Sequence, residues 1–99
     1  MQSLYPRYSD GMNKAQFIQM LEQAAYPYPV EVKQAPNGSL GDHTHPFAVK
    51  ALVIEGSIDL VVHGKIKTYE PGDVFQLEYE EVHAESYGPY GVTYLASRK

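Results

Sequence analysis

Two histidines separated by a single residue, His43 and His45, lie in the segment "GDHTHPFAVKALVIEG" at positions 41–56. Because side chains alternate along a β-strand, both imidazoles are predicted to point to the same face, about 7 Å apart. The same alternation places the valines of the following run on that face and Lys50 on the other, so the histidine face is predicted to be interior. Imidazoles that enter an apolar interior need partners, because unpaired buried polar groups are costly.

The two remaining histidines have different expected roles. His63 occupies the two-residue hairpin loop "HG", where an exposed residue that only serves the turn is expected. His83 opens the run "VHAESY", and Glu85 and Tyr87 follow it on the same face, Tyr87 as either a pocket wall or a core residue. A barrel or jelly roll would bring this run beside the first histidine pair. Three neutral imidazoles then suit a divalent transition metal such as Zn, Fe, Mn, Ni or Cu.

The composition indicates one globular domain, residues 1–99, with 43% hydrophobic and 20% charged residues. A net charge of −4 without any basic run argues against nucleic acid or an anionic membrane as a partner. Cysteine is absent, which excludes disulfides and thiolate ligands. The first ten residues lack the apolar core of a signal peptide, and no apolar run has membrane-spanning length. A cytoplasmic protein is therefore expected.

A change of hydrophobic period separates one predicted helix, residues 13–25, from a β-rich remainder, residues 30–96. Asn13 and Gln16 form a capping box at the helix start, and Pro27 should end the helix at or before Ala25. Seven or eight short strands then alternate with turns, which is typical of an all-β sandwich or barrel. The strand segments are predicted at 30–35, 47–56, 57–62, 65–70, 74–77, 82–87 and 92–96, with turns at 36–39, 63–64, 70–73 and 88–91. The outward-facing Leu52 and Ile54 would suit a dimer face or the surface on which the helix packs.

The histidine segments resemble the two motifs of small bacterial cupins. "HTHPFAVKALVIEG" matches the first motif with His43, His45 and the closing Gly56, and "EPGDVFQLEYEEVHAE" matches the second with its "PGD" turn and His83. The resemblance covers about residues 30–96. It implies an antiparallel double-stranded β-helix, the jelly-roll cupin barrel, commonly a homodimer, with a metal and a small-molecule ligand in its mouth. By this resemblance His43, His45 and His83 are three of the metal ligands.

Two departures from the cupin motifs affect the site. The fourth ligand of the family, a Glu or Gln, falls on Val49, and an alternative alignment places it on Lys50, which should point outward. The Pro-x-Gly segment before the last histidine is replaced by Glu78-Tyr79-Glu80, so the loop is acidic. The segment "EYEE" at 78–81 is expected to form a solvated rim that would disfavour anionic substrates if it overhangs the site. As a hypothesis, Glu85 restores a carboxylate to the metal shell; the alternative is an ordinary strand carboxylate paired with a lysine or with water.

These features support two main hypotheses for function. The first is a metal-binding cupin that acts as an enzyme on a small molecule, of the dioxygenase, isomerase or lyase type, with Glu85 as the candidate general base if it is not a ligand. The second is a non-catalytic module that binds a metal or small ligand. A structural cupin that has lost its metal is a third hypothesis, and the presence of the three histidines argues against it.

Overall fold

A computed structural model describes residues 11–99 of the chain. The predicted helix is present as α1, Lys14–Gln23. Its capping box is formed as expected: the Asn13 side chain accepts from the Gln16 N–H at 2.9 Å, and the Gln16 side chain accepts from the Asn13 N–H at 3.0 Å. The helix ends two residues before the predicted boundary because Ala25 adopts a left-handed conformation with φ 59°, which turns the chain away before Pro27.

Six strands follow the helix, and every pairing between them is antiparallel. Two of the strands, β3 and β6, are much longer than the others and pair with each other along most of their length. The strands are β1 (Val30–Gln34), β2 (Ser39–His43), β3 (Val49–Val62), β4 (Lys65–Tyr69), β5 (Val74–Leu77) and β6 (His83–Arg98).

The long strands correct the sequence prediction at two places. Residues 55–56 and the predicted turn at 88–91 do not separate strands, because β3 and β6 bend there and continue. Gly56 and Gly91 each have φ 74°, and the β3–β6 register shifts between Gly56 and Ile58. A β-bulge bends a strand sharply without removing it from its sheet. A Cβ atom on Gly56 would overlap the carbonyl group of Gly91, so only glycine fits this bend.

The bends divide the sheet into two four-stranded halves that share the long strands. In one half, β1 and β5 flank the start of β3 and the end of β6. In the other half, β2 and β4 flank the end of β3 and the start of β6. Residues from both halves pack into one apolar cluster, including Val53 from the first and Ile58 from the second, each 1% exposed. The all-β, jelly-roll prediction is therefore confirmed.

The helix covers the outer surface of one half of the sheet. Phe17 and Leu21 are fully buried and pack on Leu52 and Leu95, forming a second apolar cluster. Of the two explanations for the outward Leu52, packing against the helix is the one observed. Ile54 remains 38% exposed. Among the described residues, no helix has the length and apolar character needed to cross a membrane.

Candidate metal centre

Two neighbouring strands bring the predicted histidines together. His43, the last residue of β2, is paired directly with His83, the first residue of β6, and their ring centroids lie 4.2 Å apart. His45 lies two residues beyond the end of β2, in a segment without regular secondary structure rather than on the predicted continuous strand. Its ring lies 4.9 Å from that of His43 and 5.2 Å from that of His83. One nitrogen from each ring lies within 4.8 Å of the others, so the three imidazoles could hold one metal ion.

His83 has the environment expected of a metal ligand. Its side chain is 1% exposed, and its Nδ1 donates to the Glu81 carbonyl oxygen at 2.9 Å. Because a carbonyl oxygen only accepts, Nδ1 carries the proton, and in the neutral ring Nε2 has a free lone pair. That Nε2 atom is buried and has no hydrogen-bond partner among residues 11–99. Buried polar atoms are nearly always paired, so this lone pair fits a metal ion at the centre of the cluster.

His43 is oriented in the same way as His83. Its Nδ1 donates to the Gly41 carbonyl oxygen at 2.7 Å, which leaves Nε2 directed at the cluster. The register shift between Leu40 and His43 lets the chain fold back far enough for this local bond. Hydrogen bonds from the distal nitrogen to a carbonyl are the usual device that fixes the tautomer of a ligating histidine.

His45 is held by stacking rather than by a hydrogen bond to the described residues. Its ring lies parallel to Phe47, 5.0 Å between centroids and 11° between planes. Burial lowers the pKa of His45 below its usual value, and the nearby imidazoles of His43 and His83 lower it further. The ring is therefore neutral over a wider pH range than a free imidazole, which is the form that binds metals.

Glu85 lies beside the histidine cluster, on the same face of β6 as His83, as strand alternation predicted. Its Oε1 is 3.6 Å from Nε2 of both His43 and His83. Two ligand atoms bound to one ion at roughly 2.1 Å each lie within about 4 Å of one another, so this spacing suits a shared ion. Its other oxygen, Oε2, accepts a hydrogen bond of 2.6 Å from the buried Tyr87 hydroxyl. Burial, followed by this hydrogen bond, raises the pKa of Tyr87, which keeps the phenol a donor.

The other residues considered from the sequence lie outside the cluster. Val49, at the position of the family's fourth ligand, is buried in the core and supplies no ligand atom. Lys50 points outward, as predicted, and donates to the Gln76 side chain at 2.6 Å. His63 is at the hairpin tip with φ 52° and an 83% exposed side chain, as predicted. The acidic segment approaches His45 through one backbone hydrogen bond, but its side chains do not line the cavity described next.

A cavity of about 150 Å³ adjoins the histidine cluster. Its polar wall includes His45, His83 and Glu85, and most of the remaining wall is apolar. Two residues of this wall, Tyr94 and Arg98, were missed in the sequence analysis. Strand alternation could have indicated both, since Tyr94, Ala96 and Arg98 all line the cavity. Tyr94 lies within the predicted strand 92–96, whereas Arg98 lies beyond residue 96, where the barrel was expected to end.

Comparison with known proteins gives matches to solved structures only. No protein-family model and no curated protein matches the chain. Similar structures include a cupin superfamily protein from Desulfitobacterium hafniense, with 16% identity, TM-score 0.61, and coverage of 69% of this chain and 62% of that chain. The polyketide cyclase RemF from Streptomyces resistomycificus has 28% identity and TM-score 0.58, covering 69% of this chain and 51% of that one. Oxalate decarboxylase from B. subtilis has 21% identity and TM-score 0.64, covering 72% and 20%.

These likenesses identify the fold. The chain is a small cupin-fold protein with the double-stranded β-helix of that superfamily, which confirms the resemblance carried by the two histidine motifs. It spans less than two thirds of the length of the D. hafniense protein and about half that of the polyketide cyclase.

Proposed function

We propose that this protein binds one divalent transition metal through His43, His45 and His83, and uses it to act on a small molecule held in the adjoining cavity. The observation that carries this proposal is the buried, unpartnered Nε2 of His83, which lies beside the other two rings. Two of the three rings are fixed by backbone carbonyls in the tautomer that ligation requires. Zn, Fe, Mn, Ni and Cu all accept such a set of nitrogen ligands.

An enzymatic role is supported by the way the site combines ligands with a walled cavity. A metal held by three imidazoles supplies a Lewis acid or redox centre with positions open to a substrate. The chain's own residues would bind and orient that substrate and limit the access of water through the apolar cavity wall. Solved structures with this fold include proteins named as a polyketide cyclase and an oxalate decarboxylase, so the fold is compatible with several chemistries. A dioxygenase, isomerase or lyase reaction on a small molecule remains our proposal for the class.

Glu85 has two alternative roles within this proposal, metal ligand or general base, and an experiment can distinguish them. As fourth ligand it would bind through Oε1, which is 3.6 Å from two of the ligand nitrogens. As general base it would take a proton from a bound substrate, held in place by Tyr87. We expect Glu85→Gln to weaken metal binding at least about tenfold in the first case. In the second case metal affinity is unchanged and only turnover is lost.

A metal coordination shell that is filled entirely by protein ligands would favour the alternative function, a non-catalytic metal-binding module. Three histidines and one carboxylate complete four-coordination, the usual number for a structural zinc site. Access of an exchangeable water to the metal decides between the two, and it can be measured by water-proton relaxation of the Mn-loaded protein. Enhanced relaxation would support the enzyme, and its absence would support the binding module.

The predicted homodimer and cytoplasmic location belong to the same proposal. The dimer is supported by exposed apolar side chains near the edge strand β1, where Tyr28 is 70% and Val30 55% exposed. Edge strands with apolar side chains are suited to pairing with a second chain. Sedimentation equilibrium measures the dimer directly, and a monomer at all accessible concentrations would contradict it.

Metal content is the test of the central proposal. Tag-free protein purified without chelator is analysed for metals, beside the double variant His43→Ala/His83→Ala and the matched control His63→Ala, which replaces an exposed histidine outside the cluster. We expect about one equivalent of a transition metal in the wild type and the control, and loss in the double variant. A wild-type protein that contains no metal and takes up none on titration would overturn the proposal.

A further inference from the structure

Among the described residues, one positively charged side chain, that of Arg98, lines the cavity beside the histidine cluster. Arg98 ends β6, where its backbone is paired with Val49 of β3. The next residue is anchored by two backbone hydrogen bonds of 3.0 Å between Lys99 and Ala48. The backbone position of Arg98 at the cavity is therefore set by the sheet, although the residue is exposed to solvent.

The guanidinium group is held against an aromatic wall rather than by a carboxylate. Its Cζ atom lies 4.9 Å from the Phe47 ring centroid, and Phe47 itself stacks on His45. No ion pair within residues 11–99 includes Arg98. Glu85, the carboxylate side chain in this wall, accepts its hydrogen bond from Tyr87 instead. Stacking on an aromatic ring leaves the N–H groups of an arginine available for a bidentate carboxylate.

The electrostatic balance of the cavity favours an anion, in contrast to the chain as a whole. The chain carries a net charge of −4, and none of the side chains of Glu78, Glu80 and Glu81 lines the cavity. The acidic segment therefore does not overhang the cavity, which was the condition for disfavouring an anionic substrate. Arg98 and Glu85 carry opposite charges on this wall, and the proposed divalent ion on the three imidazoles would make the wall net positive.

The size and wall chemistry limit the rest of the ligand. The cavity measures about 150 Å³, and side chains such as Val49, Phe75 and Leu77 make its wall largely apolar. An apolar cavity of about that volume in another protein holds one benzene molecule. The cavity therefore has room for an apolar body of about one six-membered ring.

We propose that the cavity takes a small carboxylic acid with an apolar body of about one ring, whose carboxylate is bound by Arg98 and whose body packs between Phe47 and the apolar wall. This inference rests on the proposed function, because it names the substrate class of the same site. Arg98 is assigned as the residue that selects acids over neutral molecules of the same shape.

Benzoate is the probe, and its neutral counterpart is benzyl alcohol. Binding of each is measured by two-dimensional NMR titration with both metal-free and Zn-loaded protein, for wild type, Arg98→Gln and Arg98→Lys. The matched control is Lys67→Gln, because Lys67 is also a cation over an aromatic ring, 5.2 Å from the Tyr69 centroid, but outside the cavity. Metal content is measured for every variant.

We expect benzoate to perturb cavity residues and to bind more tightly than benzyl alcohol. Arg98→Gln should weaken benzoate binding about tenfold, about 1.4 kcal/mol, and leave benzyl alcohol unaffected. Arg98→Lys should recover only part of the affinity because lysine cannot bind both carboxylate oxygens in a fork. Lys67→Gln should behave as wild type. Raised salt should reduce the preference for benzoate over benzyl alcohol because Arg98 is exposed to solvent.

The outcomes separate this inference from the proposed metal function. Equal binding of benzoate and benzyl alcohol, or benzoate binding that Arg98→Gln leaves unchanged, overturns the acid class even if one metal is present. Arg98-dependent benzoate binding by a protein that takes up no metal supports the acid class and overturns the metal proposal alone.

Discussion

Replacement of Tyr87 by phenylalanine tests whether the carboxylate of Glu85 is held for a metal. The Tyr87 hydroxyl is the donor of a 2.6 Å hydrogen bond to Glu85 Oε2, and both side chains are buried. Phenylalanine preserves the ring, which is part of the central core cluster. The substitution therefore removes one hydrogen bond with little change in apolar packing.

The structure sets the expected size of two effects. Leaving a buried acceptor without its donor costs about 1–3 kcal/mol, so the unfolding free energy of the metal-free protein should fall by that amount. Glu85 Oε1 lies 3.6 Å from two of the proposed ligand nitrogens, so a carboxylate freed to rotate would also disturb the metal site. Loss of such a supporting hydrogen bond typically lowers metal affinity by about 10–100-fold.

The assay is a competition titration of Zn against a chelating dye, together with urea denaturation of the metal-free protein. Tyr69→Phe is the matched control, since Tyr69 is a partly buried tyrosine packed against the core cluster, on β4, which pairs with β3 and not with the strand that carries Glu85. We expect reduced zinc affinity for Tyr87→Phe and wild-type affinity for Tyr69→Phe. Equal zinc affinities for the two variants would refute the reasoning, because Glu85 would then contribute nothing to the metal site.

Three further predictions concern the fold and its pH dependence. Gly56→Ala should destabilise the protein by about 2 kcal/mol more than Gly64→Ala, as measured by urea denaturation. Both glycines have left-handed φ values, but only at Gly56 would the added Cβ atom clash with the backbone of the neighbouring strand. Phe17→Ala should cost about 3–5 kcal/mol because the ring is 0% exposed between helix and sheet, whereas the exposed Gln19→Ala should be nearly neutral; similar losses for both would contradict the helix packing. Burial, then the two neighbouring imidazoles, lowers the pKa of His45 below 6.5, so the unfolded chain binds more protons and stability is lost as pH falls below about 6.5. His45→Gln should flatten this loss in metal-free protein, and an unchanged pH profile would exclude His45 as its source.

Much of the site could be predicted because alternation along a strand is a local property. His83, Glu85 and Tyr87 share one buried face of β6, as the i, i+2 spacing predicted. His45 and His43 are only half-buried, although strand alternation predicted an interior face, because His45 lies beyond the end of β2 and its ring stacks on Phe47. The capping box of α1 was also predictable, since it depends only on two side chains three residues apart.

The continuity of the long strands could not be predicted from local signals. "GPYG" at 88–91 has the composition of a turn, and glycine has the same conformational freedom in a turn as in a bulge. Whether the chain reverses or bends there depends on the strands beside it. Pairing with β3 on both sides of this segment, at Tyr87 and at Val92, keeps residues 88–91 within β6.

The sequence by itself determined which side chains face the interior, where the helix starts, and that the histidines and Glu85 belong to inward faces. Only the tertiary structure decided that His43 lies opposite His83, that Leu52 is covered by α1, and that Arg98 reaches the cavity. The physical reason is that the face to which a side chain points is set by the alternation within one strand. Which residues become its neighbours in space is set by the register between strands that are far apart in the chain.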